Sequence, residues 1–298
     1  MERTELLIVG AGAAGISAAC AAWDAGCRDV LLADRLPYAG GILPQCIHEG
    51  FGLSAFGSEL TGPAYVERLA EGLAQRGVRF LPGKEVLAVT KEKTAVLSGK
   101  GGVEEIRFER LILATGSRER TVGSLSIAGT RPAGIFTAGQ AQEMINLHHW
   151  RLGSQVVILG SGDMGMILAR RFTLEGKQVL AVLEQDAHYG GLARNFHRCI
   201  EAYQIPIRYR CTVREIHGMP RITGVTVEAL DNGKSEFLPC DTLVTAIGLV
   251  PERELIRGFE KEPWLSLAGN CSRVYELADS AAAESAKVGR HVGKQLVK

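Results

Sequence analysis

The stretch Leu6-Leu7-Ile8-Val9-Gly10-Ala11-Gly12-Ala13-Ala14-Gly15 decides how the rest of this chain is read. Leu6 to Val9 is an unbroken apolar run, the pattern of a strand covered on both faces of a parallel sheet, and Val30 to Ala33 is a second such run. An alanine-rich segment of helical length separates them and reaches Ala25, and Asp34 closes the second run. In that frame each glycine has its own task. Gly10 permits a tight turn, Gly12 lets a pyrophosphate approach the backbone, and Gly15 lets helix and strand pack closely. Phosphates would lie on N–H groups at the positive end of a helix beginning near Ala13, and Asp34 would hold a ribose. Glycine turns also arise for steric reasons alone. Strand, helix and acidic residue in this order read as a dinucleotide clamp.

The pattern occurs twice. Val156-Val157-Ile158-Leu159-Gly160-Ser161-Gly162-Asp163-Met164-Gly165 repeats it at an offset of 150 residues, from Gly10 to Gly160. The same offset carries Asp34 to Glu184 and Gly40-Gly41 to Gly190-Gly191. Leu111 to Gly116, including Ala114, Thr115 and Gly116, is a further buried strand ending in small residues, and Leu243 to Gly248 is its late counterpart. Two units of one plan imply two nucleotides that exchange something.

The chain has 298 residues, long enough for two cores, with 34 basic and 33 acidic side chains and a net charge of +1. That balance offers nothing to nucleic acid or an anionic membrane. No apolar run reaches the roughly 20 residues of a membrane span, and the charged start predicts a cytoplasmic protein. Seven dispersed cysteines without a Cys-x-x-Cys pair predict neither a disulfide framework nor a metal site.

Between the motifs, Pro37 to Gly52 is too rich in glycine and proline for a regular element, and Pro63 to Gln75 has helical apolar spacing with Gly77 as a stop. Segments Val78–Leu81, Glu85–Thr90, Thr94–Leu97 and Glu105–Phe108 read as a small antiparallel insertion. Pro132 to Gly153 reads as a bridge between the units. A short strand and small-residue turn at Trp264 to Asn270 precede a helix from about Ala278 to Val297. The expected division is 1–122 with 249–298 for the first nucleotide domain and 123–248 for the second, with hinges near Gly123 and Gly248 that would bring the nucleotides together.

These motifs resemble the two-dinucleotide flavoproteins of the pyridine nucleotide-disulfide oxidoreductase family, in particular its thioredoxin-reductase-like branch. Gly40 to Gly52 and Thr130 to Gly139 look like the FAD/NAD-dependent oxidoreductases associated with anaerobic-type glycerol-3-phosphate dehydrogenases. The resemblance implies an α/β fold of two Rossmann-like domains, FAD on the first unit, NAD(H) on the second, and electron exchange with a partner dehydrogenase subunit or acceptor protein. By it, Gly10, Gly12, Ala13, Ala14, Gly15, Asp34 and Arg35 would hold the FAD adenosine diphosphate. Gly40, Gly41, Ile42, Leu43, Ala114, Thr115 and Gly116 would line the cofactor, with Gly269 and Asn270 on its ribityl or pyrophosphate. Gly160, Gly162, Asp163, Met164, Gly165 and Glu184 would hold the nicotinamide nucleotide. Two features depart from the family: Asn270 stands where aspartate is commoner, and the tract from Glu252 to Ala268 is short.

Glu184 favours NAD(H) over NADP(H), because a carboxylate accepts from ribose hydroxyls and repels a 2′-phosphate. Arg194 and Arg198 lie downstream and read as solvated charges, as do Arg118 and Arg120. Adjacent His148 and His149 do not face one site and make a poor ligand pair. Cys46, two residues before His48, is the one thiol expected near a flavin. It is either a redox-active thiolate supported by the imidazole or a thiol packed against the ring. The leading expectation is an oxidoreductase moving hydride between NAD(H) and flavin. The alternatives are an FAD-binding subunit of a heteromeric dehydrogenase and a shortened nucleotide-binding homologue without turnover.

Overall fold

The computed structural model describes residues 2–297 and divides the chain into two compact units, Met1–Arg118 with Val250–Lys298, and Glu119–Leu249. In the first unit five strands run parallel, in the order Arg79–Pro82, Val30–Asp34, Glu2–Val9, the second half of Gly102–Leu113, and Leu265–Leu267. The first half of Gly102–Leu113 instead pairs antiparallel with Thr94–Gly99, which pairs with Glu85–Val89.

Strand periodicity of two divides the apolar runs between two cores. Leu6, Ile8, Leu32 and Ile112 face a helical layer containing Ile16, Ala19 and Val292. Leu7, Val9, Leu31 and Leu111 face the antiparallel meander through Val86, Ala95, Phe108 and Trp264. Burial on both faces explains why these strands are continuously apolar. In the helical layer, Ala13–Asp24 and Ala278–Leu296 touch backbone to backbone. A Cβ at Gly289 would overlap the Ala18 carbonyl, and one at Gly293 would lie 2.6 Å from the Ala22 oxygen.

Two expectations need correction here. The segment expected at Val78–Leu81 belongs to the parallel sheet as Arg79–Pro82, with Leu31 opposite Arg79 and Asp34 opposite Pro82. Strand composition does not encode direction; the crossover through the helix Gly62–Ala74 does. Glu105–Phe108 and Leu111–Leu113 form one strand of 12 residues. The short tract after Glu252 still completes the sheet: Ile256 is wholly buried, Trp264 packs against Phe108 and Phe259, and Leu265 pairs with Leu111.

In the second unit the parallel order is Ile135–Thr137, Thr242–Thr245, Gln155–Leu159, Gln178–Leu183 and Ile207–Arg208. Val156, Ile158, Val182 and Val244 face the helix Asp163–Leu174, while Val157, Leu159, Leu183 and Leu243 face a second sheet through Val213, Ile216 and Val225. That sheet, Ala128–Gly129, Cys211–His217, Gly224–Ala229 and Ser235–Pro239, has no counterpart in the sequence reading. Nor is Pro132 to Gly153 a bridge. It supplies the edge strand Ile135–Thr137 and the helix Ala138–Asn146, both part of the second unit. No helix among the described residues is long and apolar enough to cross a membrane.

Candidate functional site

Each unit carries one strand–turn–helix cradle, and the two are built alike. Gly10 and Gly160 both have φ of +104°, a backbone region that disfavours side chains, and a Cβ on either would strike the carbonyl of Ala114 or Ala246. Gly10 N–H donates to Ala33 O at 2.8 Å, and Gly160 N–H donates to Leu183 O at 2.8 Å. Gly15 and Gly165 have no room for a Cβ, which would overlap the carbonyl oxygen of Gly10 or Gly160. The first and third glycines are therefore required by the protein's own packing.

The middle glycines are not. Gly12 has φ −74° and ψ −176°, and Gly162 has φ −61° and ψ 171°, conformations open to any residue. A Cβ on Gly12 would meet only Gly41 Cα, 4.0 Å away, and a Cβ on Gly162 would meet nothing within 4 Å. Both glycines are helix N-caps without a capping side chain, and the first turn-closing bonds run from Ile16 N to Gly12 O and from Met166 N to Gly162 O. The N–H groups before those bonds form the positive end of each helix. A bare backbone, an open face and helix N–H groups suit a pyrophosphate.

The acidic residues close each cradle. Asp34, 9% exposed, accepts from Ala11 N–H at 2.5 Å and from Leu36 N–H at 2.8 Å, so part of its acceptor capacity remains for ribose hydroxyls. Glu184, 7% exposed, accepts from Ser161 N–H at 3.0 Å, Ser161 Oγ–H at 2.5 Å and Asp186 N–H at 3.1 Å. Burial alone would raise the Glu184 carboxyl, but the Ser161 hydroxyl and the backbone N–H groups of Asp186, Ser161 and Gln185 outweigh it, and the group is held below the usual carboxylate value.

Other segments converge on the first cradle. Gly40 N–H donates to Ala11 O at 2.7 Å, a Cβ on Gly41 would lie 3.1 Å from Gly12 Cα, and Gly269, φ +66°, lies against Ala14. Thr115 Oγ1–H donates to Glu252 O at 2.7 Å, and Glu252 N–H donates to Gly116 O at 3.0 Å. Asn270 braces its own turn, accepting from Tyr275 N–H at 3.1 Å and donating to Ser117 Oγ at 3.4 Å. Ile42 and Arg35 are exposed and Leu43 is buried. In the second cradle Asp163 Oδ1 accepts from Leu192 N–H at 2.7 Å, and Met164 packs at the edge of the core.

Cys46 belongs to a different environment. It is 6% exposed, donates to Ile42 O at 3.6 Å, and accepts Gly62 N–H on its carbonyl at 2.8 Å; burial pushes its thiol to about 12. His48 Nδ1 lies 2.9 Å from Glu49 O. Burial therefore works against forming a thiolate at this position. Arg118 is paired with Glu252 and Glu254, and His148 lies 3.5 Å from Glu143. Among the described residues no group of three His, Cys, Asp or Glu side chains is placed to hold a metal ion.

Sequence reading missed Ser161 and two residues that brace the first cradle. Arg253 donates from its guanidinium to Cys271 O at 2.5 Å and to Ser272 O, fixing the turn after Gly269. Asp279 accepts from Gly52 and Ser54 N–H, each at 2.9 Å. The signal for Ser161 was present, because the internal repeat sets a hydroxyl where the first copy has Ala11.

Two such cradles in one α/β chain define a protein that handles two dinucleotides. The chain belongs to the pyridine nucleotide-disulphide oxidoreductase family, whose model matches residues 4–282. It is 23% identical over 272 residues to a thioredoxin reductase of Streptomyces clavuligerus, covering 90% of this chain and 81% of that one. It is 26% identical over 277 residues to the hydrogen cyanide synthase subunit HcnB of Pseudomonas protegens, covering 84% of this chain but only 57% of that protein. Its fold matches the crystal structure of T. acidophilum thioredoxin reductase over 100% of both chains, with a TM-score of 0.79 and 20% identity.

Proposed function

We propose that the chain is an FAD-dependent oxidoreductase that passes a hydride between NAD(H) and flavin and then hands electrons to a protein-bound or small acceptor. FAD is assigned to the first cradle, in residues 1–122 and 249–298, and NAD(H) to the second, in 123–248. The observation that carries this reading is the pair Gly12 and Gly162, since neither backbone angle nor packing requires a glycine there and a closely approaching phosphate does. Bound flavin supplies the two-electron chemistry; the chain's part is to bind, orient and exclude water. Asp34 and Glu184 take the adenosine riboses, and the ionised Glu184 disfavours a 2′-phosphate, which selects NAD(H) over NADP(H).

Electrons leave by a route other than a cysteine pair of this chain. All seven cysteines are free, and burial raises every one of their thiols. We assign the acceptor to a partner dehydrogenase subunit, with glycerol 3-phosphate as the oxidised substrate of that assembly. This finer reading rests on the motifs Gly40 to Gly52 and Thr130 to Gly139, and the likeness to an enzyme subunit supports a heteromeric setting.

The test is anaerobic addition of NADH to purified, FAD-reconstituted protein. Rapid bleaching of the flavin band supports hydride transfer. Yellow protein that NADH does not bleach would instead support an FAD-binding subunit in which the second cradle serves assembly, and protein that refuses FAD would sink both.

A further inference from the structure

The two cradles differ at one atom whose position has a consequence. In the first, residue 11 is alanine, and the loop glycine Gly40 donates its N–H to the Ala11 carbonyl at 2.7 Å. In the second, residue 161 is serine, wholly buried, and its hydroxyl stands between the carboxylate and the loop. Ser161 Oγ–H donates to Glu184 Oε2 at 2.5 Å, while Oγ accepts from Gly190 N–H at 3.0 Å. Glu184 Oε2 also takes the Ser161 N–H, so both its lone pairs are occupied, and Oε1 receives Asp186 N–H. The remaining acceptor capacity is on Oε1.

We infer that Ser161 is a positioning residue for nicotinamide-nucleotide selection: its hydroxyl fixes the Glu184 carboxylate with Oε1 presented to the adenosine ribose and ties the Gly190–Gly191 loop to the same carboxylate. The inference rests on the assignment of NAD(H) to the second cradle. Ser161 is buried and does not itself touch the nucleotide. It acts through Glu184, by restricting the carboxylate's rotation, and through Gly190, by holding the loop beside Gly162. A rigid, ionised acceptor favours a ribose diol and opposes a 2′-phosphate; a mobile one does both less well.

Ser161→Ala copies the residue the first cradle already uses at this place, so the backbone has a working precedent. The experiment is equilibrium binding of NADH and NADPH, followed by nicotinamide fluorescence, to FAD-reconstituted wild type and S161A between neutral and acid pH. The expected result is an NADH Kd about tenfold higher in S161A, the loss of one hydrogen bond to a charged group, with the NADPH Kd unchanged or lowered by at most about twofold. The acid limb should move as well. Glu184 must be ionised to accept from the ribose, and removing a donor makes it easier to protonate, so NADH binding should fail at a higher pH in S161A. Asp186 and His188 on its own loop, Asp163 at the helix start, Tyr189 and Tyr209 beside it, and Arg208, Arg210 and Cys211 on the segment bonded to Glu184 and Asp186 are titratable or charged groups around this region, and all are unchanged in the variant. Equal NADH affinity, equal discrimination and superimposed acid limbs in the two proteins would overturn the role of Ser161 and leave the nucleotide assignment standing. Wild-type protein that binds neither nucleotide would overturn the assignment and this inference together. If S161A melts more than a few degrees below wild type, Ser161→Thr, which retains the hydroxyl, should restore the wild-type discrimination; failure to do so overturns the inference.

Discussion

Asp279, in the first turn of the last helix, accepts a 2.9 Å hydrogen bond from the backbone N–H of Gly52, 227 residues earlier, and with its other oxygen takes Ser54 N–H. One buried carboxylate thus caps the short helix Leu53–Phe56 and fastens it to Ala278–Leu296. The wholly buried Tyr65 lies beside it, its phenol pushed up by burial and then by the Asp279 charge.

Asp279→Ala should cost about 2–4 kcal/mol, because it leaves the buried Gly52 N–H without its acceptor as well as removing a charge-assisted bond. Urea unfolding measures this as a lower midpoint at unchanged slope. A loss below about 0.5 kcal/mol would show that the clasp contributes nothing.

The glycines of the first cradle should separate stability from binding. Gly15→Ala drives a Cβ into the Gly10 carbonyl and should destabilise by about 3 kcal/mol or more. Gly12→Ala has an allowed backbone and open space, so its stability should stay within about 1 kcal/mol of wild type while FAD affinity falls by at least roughly tenfold. Thermal melts with and without FAD distinguish the two variants, and a G12A protein that keeps full FAD affinity would remove the pyrophosphate from this turn.

Acid should destabilise the second unit partly through Glu184. Its folded value lies below its unfolded value of 4.5, so its stabilisation is complete above that value and is lost as pH falls through the folded value. Glu184→Gln should flatten this part of the stability profile as pH falls below the unfolded value of 4.5. Parallel wild-type and variant profiles would contradict it.

Cys46 should react slowly. With a thiol near 12, the thiolate fraction at pH 7 is about one in 100,000, so iodoacetamide should leave it intact in the native protein and modify it on unfolding. Cys46→Ser should keep NADH-linked flavin reduction within about twofold. A loss of 100-fold or more would return the thiol to the chemistry.

The sequence was most readable where the physics is local. The duplicated strand–turn–helix stood out because the turn constrains glycine at Gly10 and Gly15, and again at Gly160 and Gly165, within a few residues of the strand that demands it. Continuous apolar runs marked strands with a core on each face. Direction and partnership were not readable. The segment at Arg79–Pro82 looks like any edge strand until the helix before it fixes its crossover, and the sheet from Ala128 to Pro239 is assembled from short runs that only pair after the chain has turned back.

The sequence by itself therefore determined that two nucleotide cradles of one design lie 150 residues apart, each with an acidic residue at the end of its second strand. The tertiary structure alone decided that Glu184 is saturated on one oxygen by Ser161, that Asp279 reaches Gly52, and that Cys46 is buried. The reason is distance along the chain. Backbone angles and periodicity act over a few residues, whereas hydrogen-bond saturation and burial depend on which remote segments folding brings together.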